Sequence, residues 1–153
     1  VFASSLLRTK QTAQIILQNH PGLKIKTAAL IHEVSTAFEG KTEKKLSAVS
    51  GDVYHGNVKG YEQPEEILAR ALEFISRIRR DYHSKHVAAV THGDVILFLL
   101  FWAVRIDVTP ENKLKLDQFE SLKEYPREGS ITRLTYHTQD TYERPHVAYI
   151  SPG

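Results

Sequence analysis

The chain has 153 residues, of which 41% are hydrophobic and 25% charged, a composition typical of one globular domain. Lys and Arg number 20 against 18 Asp and Glu, so the formal net charge of +2 gives no reason to expect a nucleic-acid or membrane partner. The absence of cysteine excludes disulfides, thiol chemistry and cysteine-based zinc sites. The longest uninterrupted apolar run, Val95 to Val104, is about half of a membrane span, so we expect a soluble cytoplasmic protein.

The chain begins with patterns typical of an alternating α/β fold. "VFASS", residues 1–5, predicts a short strand, and "LLRTKQTAQIILQNH", residues 6–20, predicts a helix. Ser4 and Ser5 are the candidate N-cap residues of this helix, because a serine hydroxyl can accept a hydrogen bond from a free N–H of the first turn. "LKIKTAAL", residues 23–30, alternates enough to predict a second strand.

A polar segment and a strongly amphipathic helix occupy the middle of the chain. Lys41 to Gln63 predicts a short helix followed by a long loop, which we expect to cover the site and to influence the choice of substrate. "PEEILARALEFISRIRRDYHSK", residues 64–85, predicts a helix, since Pro64 suits a first turn and apolar residues recur at helical spacing. The basic residues near its end suit the negative pole of the helix dipole and predict a solvated helix end.

The most apolar part of the chain predicts a strand, a tight turn and a helix. "HVAAVT", residues 86–91, alternates too little for a half-exposed strand and predicts one that is buried on both faces within a parallel sheet. "GDVILFLLFWAV", residues 93–104, predicts a buried helix. His92 and Gly93 interrupt the apolar sequence at the junction between the two elements.

The last third of the chain completes the predicted fold. Pro110 begins another short helix, and "GSITRLTYH" and "HVAYI" flank a turn-rich segment and predict a β-hairpin. The order of strands and helices predicts one α/β domain over residues 1–153, a three-layer α/β/α arrangement with a mostly parallel sheet and a C-terminal β-hairpin.

Polar residues that suit an anion site follow three of the predicted strands. Arg8, Glu33 and His92 each come after a strand, and ligands of open α/β sheets bind beyond the carboxyl ends of strands. Arg8 offers a fork to phosphate oxygens, and His92 offers a further donor. Gly93 lets the backbone approach a ligand at the start of a helix, where free N–H groups bind phosphate. Each residue alone is more often structural, so the prediction depends on their joint placement.

Four segments resemble motifs of one family, in the family's order. "SSLLRTKQTA" resembles the Ser-x-Leu-x-Arg-x-x-x-Thr-Ala pattern of the histidine phosphatase superfamily, which includes the cofactor-dependent phosphoglycerate mutases. "IHEVSTAFEG" resembles its acidic loop, with Phe38 in place of the family's Trp. "VAAVTHGDVILFLL" is similar to its second histidine motif, and "GSITRL" resembles the strand that follows the last helices.

The resemblance implies a phosphoglycerate mutase-like fold and a phosphomonoester phosphatase or mutase that uses no metal and no cofactor. It implies that Arg8, His92 and Gly93 bind phosphate, with His92 and Glu33 as catalytic residues and Glu33 as the proton donor to the leaving alkoxide. The implied partner is a phosphorylated small-molecule substrate. Hydrolysis is favoured over mutase activity because the long insertions of true mutases are absent. The substrate's identity and the oligomeric state are left open.

The resemblance also implies a segment upstream of Val1. The family begins with a strand that ends in Arg-His-Gly, whose His becomes phosphorylated, and no Arg-His-Gly occurs in this chain. The chain starts with Val and contains no Met. We therefore expect the natural protein to contain that strand, its nucleophile and a first helix before "VFASS".

Two other hypotheses remain beside the phosphatase. A catalytically inactive pseudoenzyme or interaction module would retain the phosphate ligands and bind phosphorylated ligands without turnover. A metal hydrolase built on the eight histidines is disfavoured, because the sequence contains no His-x-His pair.

Overall fold

A parallel sheet and a separate hairpin form the β-structure of the protein. A computed structural model describes residues 1–36, 53–54, 60–122 and 124–152. The strands are β1 (Phe2–Ala3), β2 (Lys26–Thr27), β3 (Ala89–Val90), β4 (Ile131–Thr135) and β5 (His146–Ile150). The first three form a parallel sheet in the order β2-β1-β3, and the last two form an antiparallel hairpin. The predicted mixed α/β fold with a parallel sheet and a C-terminal hairpin is confirmed.

Four α-helices within the described residues follow the predicted order. They are α1 (Leu7–Gln18), α2 (Pro64–Asp81), α3 (Gly93–Ala103) and α4 (Pro110–Leu114), and one-turn 3-10 helices span Ala29–Ile31 and Leu116–Gln118. The start of α2 is closed by a reciprocal pair of hydrogen bonds between Gln63 and Glu66, which satisfies two backbone N–H groups. Among the described residues, no helix combines the length and the apolar character needed to cross a membrane.

The predicted serine cap of α1 is wrong. Leu6 occupies the N-cap position, and no side-chain hydrogen bond caps the helix. The hydroxyl of Ser4 lies near the Leu6 N–H at 3.4 Å, but its short hydrogen bonds run to Thr9 and to His92. The side chain of Ser4 therefore binds His92 and Thr9 and does not cap the helix.

The register of the parallel sheet brings three strand ends together. Phe2 lies beside Lys26 on one side and beside Ala89 on the other. Backbone hydrogen bonds extend both ladders past the strands, from Ser4 N–H to Val90 and from Ala28 N–H to Ala3. Ser4 and the residues that follow β2 and β3 consequently meet at one edge of the sheet, where parallel strands point their carboxyl ends.

Strand β3 lies at an edge of the parallel sheet, and the prediction that it is buried on both faces is wrong. β1 pairs with it on one side, whereas the hairpin belongs to a different sheet. Ala88 and Ala89 are consequently exposed although the segment is apolar.

The core is built around α3, which is apolar on every side. Phe98 and Phe101 are fully buried, and they belong to one cluster with Ile67, Ala71 and Phe74 of α2. A helix that is hydrophobic all round must be covered on all sides, and this packing fixes the direction in which its first residue points.

Part of the predicted substrate loop lies outside the described residues. This applies to positions 41–52 and 55–59, including the predicted short helix, and also to Phe38 of the acidic loop.

Candidate active site

Arg8, Glu33 and His92 meet at the carboxyl edge of the parallel sheet. Arg8 Nη2 lies 2.9 Å from Glu33 Oε2 and 3.1 Å from His92 Nδ1. His92 Nδ1 and Glu33 Oε2 are also 3.1 Å apart. The structure therefore brings the three candidate residues within contact of one another, while their roles in phosphate binding and catalysis stay predictions.

Each side chain is positioned by the element that it follows or begins. Arg8 lies in the first turn of α1, Glu33 follows the 3-10 helix after β2, and His92 is the N-cap residue of α3 with an extended backbone. The side chain of His92 is only 2% exposed, whereas that of Arg8 is 60% exposed. The site thus combines a fixed imidazole with a guanidinium that is accessible to a ligand.

Two hydroxyl groups determine which nitrogen of His92 faces the site. Thr9 Oγ1 donates to the Leu6 carbonyl at 2.8 Å, so it can only accept from Ser4 Oγ, 2.8 Å away. Ser4 Oγ then accepts the hydrogen bond from His92 Nε2 at 2.7 Å. His92 consequently carries a proton on Nε2, and Nδ1 is directed toward Arg8 and Glu33.

Sequence reasoning missed this role of Ser4 and Thr9. A signal was present, because Ser4 directly follows the first strand as His92 follows the third. Residues at the carboxyl ends of paired parallel strands lie side by side. Because Ser4 was assigned as a helix cap, its contact with His92 was not predicted.

The carboxyl group of Glu33 is ionised in the unliganded site. Burial by itself raises the pKa of Glu33, but the hydrogen bond and the electrostatic interaction with His92, together with further contacts, outweigh it. The Val34 N–H and the Arg8 guanidinium act in the same direction, and together these groups hold the pKa below its usual range. Glu33 therefore begins as a proton acceptor and must gain a proton before it can donate one.

A second imidazole lies beside the first. The ring centroids of His32 and His92 are 6.4 Å apart, and His32 Nδ1 shares a 2.6 Å hydrogen bond with Ser5 Oγ. The sequence analysis did not assign a role to His32. Ser5 follows Ser4 and His32 precedes Glu33 in the sequence. Ser5 and His32 therefore lie beside the site because their neighbours do.

Gly93 begins α3 and is in close contact with Tyr125. A Cβ added at Gly93 would lie 2.5 Å from the Tyr125 ring carbons Cε1 and Cζ, closer than real Cβ atoms approach. The glycine thus provides space for an aromatic ring, a reason that the sequence analysis did not foresee. Its predicted contact with phosphate stays a prediction. Asp94, the next residue, is buried and binds Tyr125.

Over the part of the chain that the structure describes, no group of three or more His, Asp, Glu or Cys side chains is arranged to hold a metal ion. What the site offers is an exposed guanidinium, a directed imidazole, the first turn of α3 and a carboxylate. Cationic donors and a helix N-terminus suit a phosphoryl group, and the carboxylate suits proton transfer to or from it.

One family model matches most of the chain, and several solved structures share its fold. A family model described as "Histidine phosphatase superfamily (branch 1)" matches residues 1–140. The fold is similar to that of YhfR from Bacillus stearothermophilus, with a TM-score of 0.68 and 19% identity over 96% of this chain and 70% of that one. It is also similar to mycobacterial hydrolase 2, with a TM-score of 0.69 and 18% identity over 97% of this chain and 67% of that one.

A third similar structure is a mycobacterial glucosyl-3-phosphoglycerate phosphatase, with a TM-score of 0.66 and 18% identity over 97% of this chain and 74% of that one. At identities this low the likeness shows the fold alone. No curated protein matches the sequence.

Proposed function

The chain belongs to the histidine phosphatase superfamily, and we propose that it is a phosphomonoester phosphatase that acts on a phosphorylated small molecule. The observation that supports this best is the meeting of Arg8, Glu33 and the buried His92 at the start of α3. The similarity to a protein named as a phosphatase supports the same class of reaction.

In the proposed reaction, a histidine from a segment upstream of Val1 attacks the phosphorus atom, and the bond between phosphorus and the ester oxygen breaks. Arg8 and His92 hold the non-bridging oxygens, and the leaving alkoxide takes a proton from Glu33. Water then attacks the phosphohistidine while the Glu33 carboxylate accepts its proton. Inorganic phosphate leaves, and both catalytic groups return to their starting states.

Substrate binding would favour the protonated form of Glu33, which takes the proton from solvent and returns it to solvent when phosphate leaves. In the unliganded site the contacts with His92 and Arg8 lower the pKa of Glu33. A phosphoryl group that binds both side chains removes these stabilising contacts and places negative charge beside the carboxylate. Both changes raise the pKa of Glu33 and favour its protonated form.

Phosphate binding is the first measurement that tests this function. We expect the purified protein to bind inorganic phosphate, as measured by isothermal titration calorimetry, and Arg8→Ala and His92→Ala each to weaken binding strongly. Arg77→Ala and His83→Ala are matched controls, because both residues are exposed and lie on or just after α2. Unchanged phosphate binding in Arg8→Ala and His92→Ala would contradict the proposed site.

Turnover is the second measurement. A protein that includes the upstream Arg-His-Gly segment should hydrolyse p-nitrophenyl phosphate in the presence of a chelator, and each substitution should reduce the rate about a hundredfold. Loss of activity on adding chelator would favour the metal hydrolase. Phosphate binding without turnover in the longer protein would favour the pseudoenzyme.

A further inference from the structure

A buried carboxylate in the first turn of α3 gathers three donors from separate parts of the chain. Asp94 is 4% exposed; its Oδ1 accepts from the Tyr125 hydroxyl at 2.7 Å, and its Oδ2 accepts from Lys113 Nζ at 2.7 Å. Oδ2 also accepts from the Tyr54 hydroxyl. The Lys113 ammonium lies 5.0 Å from the Tyr54 ring centroid and 5.8 Å from that of Tyr125. This arrangement holds the Tyr125 ring in one orientation.

That orientation places Tyr125 directly on the residue that follows His92. The ring approaches Gly93 so closely that a Cβ there would overlap it. Gly93 is not among the residues with a positive φ, so alanine could adopt its backbone conformation. The glycine is therefore needed for the space that it leaves to Tyr125.

Part of Tyr125 is exposed to solvent beside Gly93. The residue is 41% exposed although its hydroxyl is bound to Asp94. Burial of the hydroxyl and the Asp94 carboxylate raise the pKa of Tyr125, and the Glu33 carboxylate adds to this. Tyr125 thus has a hydroxyl held by Asp94 and a partly exposed ring beside Gly93, the residue that follows His92.

We propose that Tyr125 is a specificity-determining wall of the site, whose exposed ring contacts the alcohol portion of a phosphate ester held by Arg8 and His92. This inference rests on the proposed function. An aromatic face favours an apolar or aromatic alcohol portion. Lys113 does not add a cation for a second anionic group, because its ammonium is paired with Asp94.

Two phosphonates that cannot be hydrolysed test the wall separately from the phosphate site. We expect the purified protein to bind benzylphosphonate about tenfold more tightly than methylphosphonate, the ratio that one good aromatic contact provides. Tyr125→Ala should bring this ratio close to one while methylphosphonate binding changes little. Tyr125→Phe keeps the ring and should retain the ratio. A general structural defect would weaken the binding of benzylphosphonate and of methylphosphonate by the same factor.

Gly93 provides a second test that depends on the close contact. Gly93→Ala should displace the ring and lower the ratio as Tyr125→Ala does, and the two substitutions combined should lower it no further than either alone. If Tyr125→Ala leaves the ratio of the two phosphonate affinities unchanged, the proposed role of Tyr125 is wrong, while the proposed phosphatase function is unaffected. A protein that binds neither phosphonate would overturn the proposed function and the wall together.

Discussion

At the residue scale, the site combines an imidazole in a fixed position with an ion pair whose partners can change. His92 is buried and its ring is oriented by the hydrogen bond to Ser4, so the imidazole needs no rearrangement to face a ligand. The ion pair between Arg8 and Glu33 is partly exposed, and such pairs contribute little to stability. A phosphoryl group can therefore replace Glu33 as the partner of Arg8 at small cost, and the replacement changes the protonation of Glu33.

The lowered pKa of Glu33 predicts a pH-dependent contribution to stability. A carboxyl group with a depressed folded pKa stabilises the protein above its unfolded pKa of about 4.3, and this contribution is lost as the pH falls through the folded value. Glu33→Gln should therefore melt at a lower temperature than the wild type at neutral pH, and the difference should shrink as the solution is acidified below about pH 4. Glu128→Gln, at an exposed position, is the control. A melting difference that does not vary with pH would contradict the assignment.

At the element scale, α3 connects the hydrophobic core to the candidate active site. Its apolar residues pack against α2, and His92 stands at its N-cap with Gly93 and Asp94 in its first turn. The direction of its first turn therefore depends on packing further along the same helix. Thr109 caps α4, and Lys113 of α4 returns to Asp94, which ties a second helix to the same turn.

Truncation of the core face of α3 should lower the free energy of unfolding. Phe98 is fully buried between α3 and its neighbours, and Phe98→Ala should cost about 3–5 kcal/mol through lost burial and the cavity left behind. Ile15→Ala in α1, where the residue is 62% exposed, should cost much less. Urea denaturation measures both changes, and equal midpoints for the two variants would contradict the central place of α3 in the core.

At the scale of the whole molecule, the β-structure is divided into two sheets. Among the described residues, β3 is the last strand of the parallel sheet, and Ala88 and Ala89 expose apolar surface at that edge. An apolar edge strand is a template for pairing with another strand. The chain matches the family model over residues 1–140, while an upstream strand that would belong to this sheet stays a prediction from the sequence.

We therefore expect residues 1–153 by themselves to associate or to melt at low temperature, and a protein with the upstream strand to be monomeric and to melt higher. Each square ångström of apolar surface that the strand covers contributes about 25 cal/mol. Analytical ultracentrifugation and calorimetry compare the two forms. A monomer of residues 1–153 with a cooperative transition at high temperature would show that this edge needs no further strand.

The sequence by itself determined the parts of the protein whose signals lie in neighbouring residues. Helical spacing of apolar residues placed α2 and α3 within a few residues of their ends, and alternation placed the terminal hairpin. Arg8, Glu33 and His92 were selected because each follows a predicted strand, and the segments that resemble family motifs contain the same three residues. The predicted second strand was longer than observed, since only Lys26 and Thr27 pair with β1 before the chain turns.

Only the tertiary structure decided which distant residues support those candidates. Ser4 is 88 residues from His92, and Tyr125 is 31 residues from Asp94, so no local pattern relates the members of either pair. The burial of β3 was likewise decided by its surroundings, because an apolar strand is buried on both faces only when other elements pack against both of them. Local sequence determines the type of an element, whereas contacts and burial depend on which distant elements the packing brings beside it.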